Sequence, residues 1–403
     1  MTLVRSGIFL TVAVGLANVL NAVLQFSLAR IFGPDEYALV AALFAIVLVG
    51  AIPPLAFQAT TAREVSARLA RSDREGAGAF LKGMAASVLR WSNAFTVAAV
   101  LIVVPAAILG AEDPVAYGAT VLTVGFALEI PVLWGGLQGT GQFTLLAGAH
   151  VLFASSRLCA GLVIALVGGG VGAVMLGLAG ATAVTVLLSL LPLRDLLPAG
   201  QPTREGLATR LNAGAALGLT ALWAMAYGDL LVARLAFDGD EAGAYAAAAV
   251  TSKVLLLVPI AATTVLFPRV AVLHDRKRER RHLLAGLGVV AATSALLTAF
   301  AWIFAGHLID LLFGSEYEAA ESWLGPLCLG MALYGLAIVY LYHFLALGRT
   351  RFAAVLAVLL AAQVVAYGLF HASPGELVGI QIAFAALAVV AAEAWYVLRI
   401  GAD

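Results

Sequence analysis

Five ionisable side chains stand inside long apolar runs: Arg90, Glu129, Arg157, Asp229 and Lys253. A charge surrounded by hydrocarbon is costly unless it faces a wet cavity or a partner, so each is a candidate for function. Arg157 lies near the middle of its run. An arginine there suits phosphate, because its planar fork donates paired hydrogen bonds. The alternative is a structural ion pair with Glu129 on the neighbouring run. Lys253 offers a second cation to an anionic ligand, or else it pairs with Asp229 or snorkels to the surface. Arg30 and Arg234 sit at equivalent ends of two runs. There they either line the mouth of a cavity or anchor helix ends at headgroup phosphates. Arg90, close to an entrance rich in basic residues, suits snorkelling.

The acids and amides suggest a second kind of chemistry. Glu129 stands two residues before Pro131, whose ring removes a backbone hydrogen bond and can kink the helix. A carboxylate beside a kink suits coupling to protons or sodium ions, and equally suits hydrogen-bonded packing. Asp229 is the corresponding candidate in the second half of the chain. Asn18, Asn21 and Gln25 are spaced three and four apart and share one helical face. They can meet sugar hydroxyls, or bond between helices for about 0.6 kcal/mol each.

Enzyme chemistry finds little footing, and no catalytic residue, metal site or cofactor is expected. The histidines (His150, His274, His282, His307, His343, His371) are scattered without metal-ligand spacing. Gly136, Gly139 and Gly141 superficially suggest a phosphate loop, but they join two apolar helices rather than a strand and a helix.

The elements that position these groups follow from composition. Hydrophobic residues make up 63% of the 403 and charged residues 11%, against about 25% charged in ordinary soluble domains. Mean hydropathy is +1.01. Such a chain has too few polar side chains to cover a surface in water. Formal net charge is zero, so no basic field points to nucleic acid. Cys159 and Cys328 both lie inside apolar runs and say nothing of a disulfide framework. The first run, with Asn18, Asn21 and Gln25, reads as a retained helix rather than a cleaved signal.

Helices of about 20 apolar residues cross a bilayer. The pattern predicts an all-α membrane protein with twelve spans near 7–30, 38–61, 80–109, 114–138, 144–167, 171–193, 211–236, 244–268, 283–311, 322–347, 352–371 and 377–398. Gaps with basic residues alternate with gaps without them. Arg63, Arg68, Arg71, Arg74 and Lys82 surround the second gap; Arg194, Arg204 and Arg210 occupy the sixth; Arg269, Arg276, Lys277, Arg278, Arg280 and Arg281 fill the eighth; Arg349 and Arg351 mark the tenth. Arg5 and Arg399 flank the termini. The opposite gaps carry acids: Asp35 and Glu36, Glu112 and Asp113, Asp238, Asp240 and Glu241, then Glu316, Glu318 and Glu321. Basic loops stay in the cytoplasm, so both termini are expected there, in the cytoplasmic membrane.

The halves echo each other at an offset of a little over 200 residues. Leu28-Ala-Arg-Ile-Phe-Gly-Pro-Asp-Glu-Tyr37 matches Val232-Ala-Arg-Leu-Ala-Phe-Asp-Gly-Asp-Glu-Ala-Gly-Ala-Tyr245. Each leads into a span with proline in its second half, at Pro53-Pro54 and Pro259. The turn Leu137-Gln-Gly-Thr-Gly-Gln-Phe143 matches Leu345-Ala-Leu-Gly-Arg-Thr-Arg-Phe352. Six spans per copy, an even number, make these parallel repeats related by pseudo-two-fold symmetry along the membrane normal. The expected domains are a six-helix lobe over 1–196, a cytoplasmic linker over 197–210 and a second six-helix lobe over 211–403.

At these residues the chain resembles the polysaccharide flippase branch of the multidrug/oligosaccharidyl-lipid/polysaccharide exporter superfamily. The resembling stretches are Phe32-Gly-Pro-Asp-Glu-Tyr37, Gly243-Ala-Tyr245 with Phe267-Pro-Arg269, Leu312-Phe-Gly-Ser-Glu-Tyr317 and the Leu-Gly-Arg turn at 347–349. The resemblance implies transport of polyprenyl-diphosphate-linked glycans across the cytoplasmic membrane by alternating access. A diphosphate needs cations in a wet cavity, which makes Arg157, Lys253, Arg30, Arg234, Asn21 and Gln25 the expected substrate contacts. Glu129 and Asp229 are the expected ion-coupling groups. The implied partners are the lipid-linked glycan, membrane lipids, and glycosyltransferases or a polymerase of the same pathway. Other readings stay open: a cation-coupled exporter of small drug-like molecules, and a non-transporting scaffold of a glycan-export assembly. A membrane-embedded glycosyltransferase would need a large outer loop, and the outer gaps here are short.

Overall fold

A computed structural model describes residues 3–52, 54–108, 113–197, 213–270 and 276–400. Pro53, Glu112, Arg204, Arg210 and the expected linker beyond Leu197 lie outside the described residues. So do the side chains of Arg5, Phe267, Arg269, Arg276 and Arg399. The described chain is all α-helix with short 3-10 turns. The first seven helices are α1 (Leu3–Gly50), α2 (Leu55–Ala70), α3 (Arg74–Ile108), α4 (Pro114–Ala127), α5 (Glu129–Gly139), α6 (Phe143–Leu166) and α7 (Val171–Leu190). The rest are α8 (Ala213–Ala236), α9 (Gly239–Lys253), α10 (Leu257–Val270), α11 (Arg276–Ile303), α12 (Ala305–Leu312), α13 (Glu321–Ala346), α14 (Phe352–Leu369) and α15 (Pro374–Ile400).

Eleven helical stretches are long and apolar enough to cross a membrane, and the first, Phe9–Gly50, runs for 42 residues. At 1.5 Å per residue that is roughly twice a hydrocarbon core. It is therefore two passages, and it breaks between them. Gly33 interrupts α1 at φ 74°, ψ 178°, backbone that a side chain would make strained. Counted so, the described residues hold twelve passages of a multi-pass membrane protein.

The paired turns seen in the sequence have one geometry. Gly141 (φ 74°) and Gly348 (φ 70°) both close their helices in the left-handed region. Gln142 N–H donates to the Leu137 carbonyl and Arg349 N–H to that of Phe344, each at 2.8 Å. This six-to-one bond over a left-handed glycine is the Schellman ending. The same device stops the same helix in each half.

The chain divides into two compact units. The first holds 1–31 and 46–212, and the second holds 32–45 and 213–403. In the first unit, Phe80, Leu81, Met84, Val132, Leu133, Leu137 and Leu193 form part of one buried apolar cluster. Asp113 caps α4 through Ala116 N–H at 3.0 Å and also accepts from Gly172 N–H, at the start of α7, at 2.7 Å. The second unit includes residues 32–45, from the far end of the sequence, because they pack on its helices. Tyr37 is fully buried against Phe313 and Tyr317, with ring centroids 5.8 and 6.1 Å away.

Candidate functional site

In the second unit, α8 carries Tyr227 and Asp229 while α9 carries Tyr245 and Lys253. Lys253 Nζ lies 3.0 Å from both Asp229 Oδ1 and Oδ2. Their side chains are only 3% and 0% exposed. Tyr245 OH donates to Asp229 Oδ2 at 3.1 Å, and Lys253 Nζ stands 5.2 Å from the Tyr227 ring centroid. The two charges expected to serve substrate and coupling ion thus meet as a buried, hydrogen-bonded pair. Each supplies hydrogen bonds that the other would otherwise take from water.

Beside this pair runs a polar network that the sequence did not single out. Gln363 on α14 donates from Nε2 to the Met225 carbonyl (3.1 Å), Tyr367 OH (2.9 Å) and Gln381 Oε1 (3.3 Å). Tyr334 OH donates to the Met225 carbonyl and to Gln363 Oε1, both at 3.3 Å. Gln381 on α15 donates to the Ala226 carbonyl at 3.4 Å. The network ties α8, α13, α14 and α15 together one turn before Asp229. A glutamine in each of the last two apolar spans was the available signal.

The first unit is arranged differently. Arg157 on α6 is buried, with its guanidinium carbon 5.1 Å from the Phe153 ring centroid. Phe153 stands 6.1 Å from Trp134, which stacks against His150 at 3.9 Å. Positions 150, 153 and 157 share a face of α6, so the cation sits at the end of an aromatic ledge.

Glu129 opens α5 directly after Leu128, whose backbone stays helical at φ −62°, ψ −32°. Pro131 lacks the N–H that would bond the Ala127 carbonyl, so that carbonyl loses its usual helical partner. The expected pairing of Glu129 with Arg157 does not form. Glu129 Oε1 is buried and has no hydrogen-bond partner among the described residues, and no ion pair joins the two.

Asn21 and Gln25 lie on α1 in this same unit. Asn21 Nδ2 donates to the Ala17 carbonyl at 3.0 Å, while Asn21 Oδ1 and Gln25 Oε1 are buried without a partner among the described residues. Their level along α6 is set by Gly161, where an added Cβ would stand 2.8 Å from Leu24 Cδ1. Gly161 is one turn beyond Arg157, and Leu24 lies next to Gln25, so these polar groups occupy a common layer. Asn18 differs from them, being exposed.

Three further arginines are less buried than Arg157. Arg30 is exposed near the end of the first passage, and Arg234 is half-buried in the last turn of α8. Arg90 is exposed and donates to Ser87 Oγ at 3.3 Å.

No protein-family profile matches the chain, and no curated protein matches it in sequence. Solved structures do match in fold. An inward-facing multidrug resistance MATE family transporter of the MOP superfamily aligns with TM-score 0.78 at 19% identity, over 96% of this chain and 95% of that one. The lipid II flippase MurJ, in an inward closed conformation, aligns with TM-score 0.69 at 13% identity, over 96% and 86%. A MOP superfamily transporter from Pyrococcus furiosus, described as having a binding pocket of reversed polarity that suggests a different function, aligns with TM-score 0.70 at 17% identity, over 99% and 95%. The chain therefore has the fold of these membrane transporters.

Proposed function

We propose that this protein is a flippase that moves polyprenyl-diphosphate-linked oligosaccharide precursors across the cytoplasmic membrane by alternating access. The observation that carries this reading is the polar layer of the first unit. There the Arg157 guanidinium is buried in mid-span, level with acceptor oxygens of Asn21 and Gln25 that are buried without partners among the described residues. Buried polar atoms without partners ask for water or a ligand. A cationic fork beside hydroxyl acceptors is the complement of a phosphorylated sugar. Lys253 contributes little to an anionic substrate on this reading, since Asp229 already neutralises it. Arg30 and Arg234 serve as anchors at helix ends. Membrane lipids, and the glycosyltransferases or polymerase that make and consume the glycan, are the partners this function calls for. The tendency of basic gaps to stay in the cytoplasm supports a cytoplasmic side for both termini.

A second reading, export of drug-like cations, draws on Glu129, a buried carboxylate whose Oε1 has no hydrogen-bond partner among the described residues. The two separate in proteoliposomes. A fluorescent polyprenyl-diphosphate oligosaccharide should change leaflets with the wild type, and at least tenfold more slowly with Arg157→Ala. Ethidium export that depends on Glu129, without glycolipid movement, would replace the flippase by the exporter.

A further inference from the structure

The aromatic ledge on α6 leads away from the Arg157 guanidinium, and phosphate binding alone leaves it without a role. Its order along the helix is Arg157, Phe153, His150, seven residues or about 10 Å in all. Phe153 lies directly beside the cation, its ring centroid 5.1 Å from the guanidinium carbon. It packs on the apolar cluster of the first unit and is still only half-buried, as is His150. Trp134 of α5 meets Phe153 edge to face at 6.1 Å and lies against His150 at 3.9 Å. Trp134 is only 7% exposed, and its Nε1 is buried with no hydrogen-bond partner among the described residues. An indole N–H is a donor with no capacity to accept. Buried donors are nearly always paired, so this one asks for a guest.

These groups describe one kind of guest. The face of a benzene ring is negative and attracts polarised C–H hydrogens. A hexose ring presents such hydrogens on one side, because its carbons carry electronegative oxygens. Its hydroxyls both donate and accept. Those nearest the phosphate suit the acceptor Asn21 Oδ1, and those at the far edge suit the donor Trp134 Nε1. A planar aromatic cation would also stack on Phe153, but Arg157 would repel it and the indole N–H would stay unpaired.

We infer that the ledge seats the hexose joined directly to the diphosphate, with Phe153 as its stacking platform and Trp134 Nε1 as a donor to one of its hydroxyls. The inference rests on the reading of Arg157 as the phosphate site, and it adds a means of telling one lipid diphosphate from another. A carrier loaded with sugar is held at its phosphates and at its first ring. The bare carrier is held at its phosphates alone.

Two detergent-soluble probes test the ledge: farnesyl diphosphate, and the same compound with N-acetylglucosamine on its terminal phosphate. Equilibrium binding to the purified full-length chain is expected to favour the glycosylated probe by about tenfold. Phe153→Leu is expected to bring that ratio close to one, and Phe153→Tyr to retain it. The ratio compares two ligands on one variant, so a mere displacement of Arg157 weakens both and leaves it unmoved. Trp134→Phe, which keeps a ring and removes the N–H, is expected to lower the ratio about threefold; should Phe153→Leu not fold, this variant decides. Equal binding of both probes by the wild type would overturn the ledge and leave the phosphate site standing. So would a ratio unchanged in Phe153→Leu and Trp134→Phe. Binding of neither probe, or binding indifferent to Arg157→Ala, would remove the phosphate site itself and the ledge with it.

Discussion

Pro34 crosses Gly243 so closely that a Cβ on Gly243 would stand 2.1 Å from the Pro34 carbonyl oxygen. The obstacle is backbone, which cannot swing aside as a flexible side chain can. Gly243→Ala is therefore expected to cost about 3 kcal/mol, the upper end of overpacking penalties. Gly228→Ala is the control, since nothing lies within 4 Å of its Cβ position. Thermal unfolding in detergent should show a large drop for the first and no loss for the second.

The Asp229–Lys253 pair makes a different prediction, because both partners are buried and each needs the other. Lys253→Met alone, or Asp229→Asn alone, should destabilise by about 3–5 kcal/mol. The double variant removes both charges, and a double-mutant cycle should recover most of that loss. Additive losses would mean that the pair is not coupled.

Gln363 makes several bonds at once, and each partner is itself buried. Gln363→Leu keeps the bulk and strands Gln381 Oε1 and the Tyr367 hydroxyl. A loss of about 1–3 kcal/mol is expected. Hydrogen exchange should rise at the Met225–Asp229 turn before it rises elsewhere in α8.

At the opposite end of a span, Asp113→Ala removes a helix cap and the bond to Gly172 N–H together. A cost of about 1–2 kcal/mol follows. Asp113→Asn keeps an acceptor oxygen and should recover most of the lost melting temperature.

Arg157→Lys keeps the charge and discards the fork. If phosphate is held there, glycolipid movement should fall by about tenfold, equivalent to roughly 1.4 kcal/mol and one charge-assisted hydrogen bond. A drop as deep as that of Arg157→Ala would argue that geometry matters more than charge.

What was legible in the sequence was whatever depends on order along the chain. Arginine-rich gaps alternating with acidic ones yielded the number of passages. The repeated glycine turns at Gly141 and Gly348 were visible as letters before their shared backbone was seen. The pairing of Asp229 with Lys253 was anticipated as one alternative, since both lie in consecutive spans. The pairing of Glu129 with Arg157 was anticipated on the same ground and does not occur. Adjacent spans bring two side chains near in sequence, but the rotation of each helix decides whether they face one another. Gln363 and Gln381 escaped notice because each stands alone in its span, whereas Asn18, Asn21 and Gln25 repeat at helical spacing. The docking of 32–45 was equally hidden, since nothing local marks a strip whose packing partners lie two hundred residues away.

That strip has an evolutionary corollary. Gly239 and Gly243 have given up their side chains to make room for Asp35 and Pro34, and Phe313 and Tyr317 close around Tyr37. A polypeptide starting at residue 213 would leave this trough bare, with glycines and aromatic rings facing lipid or water. The second repeat therefore relies on a strip carried by the first. Any recombination that transplants it must carry 32–45 along or refill the trough.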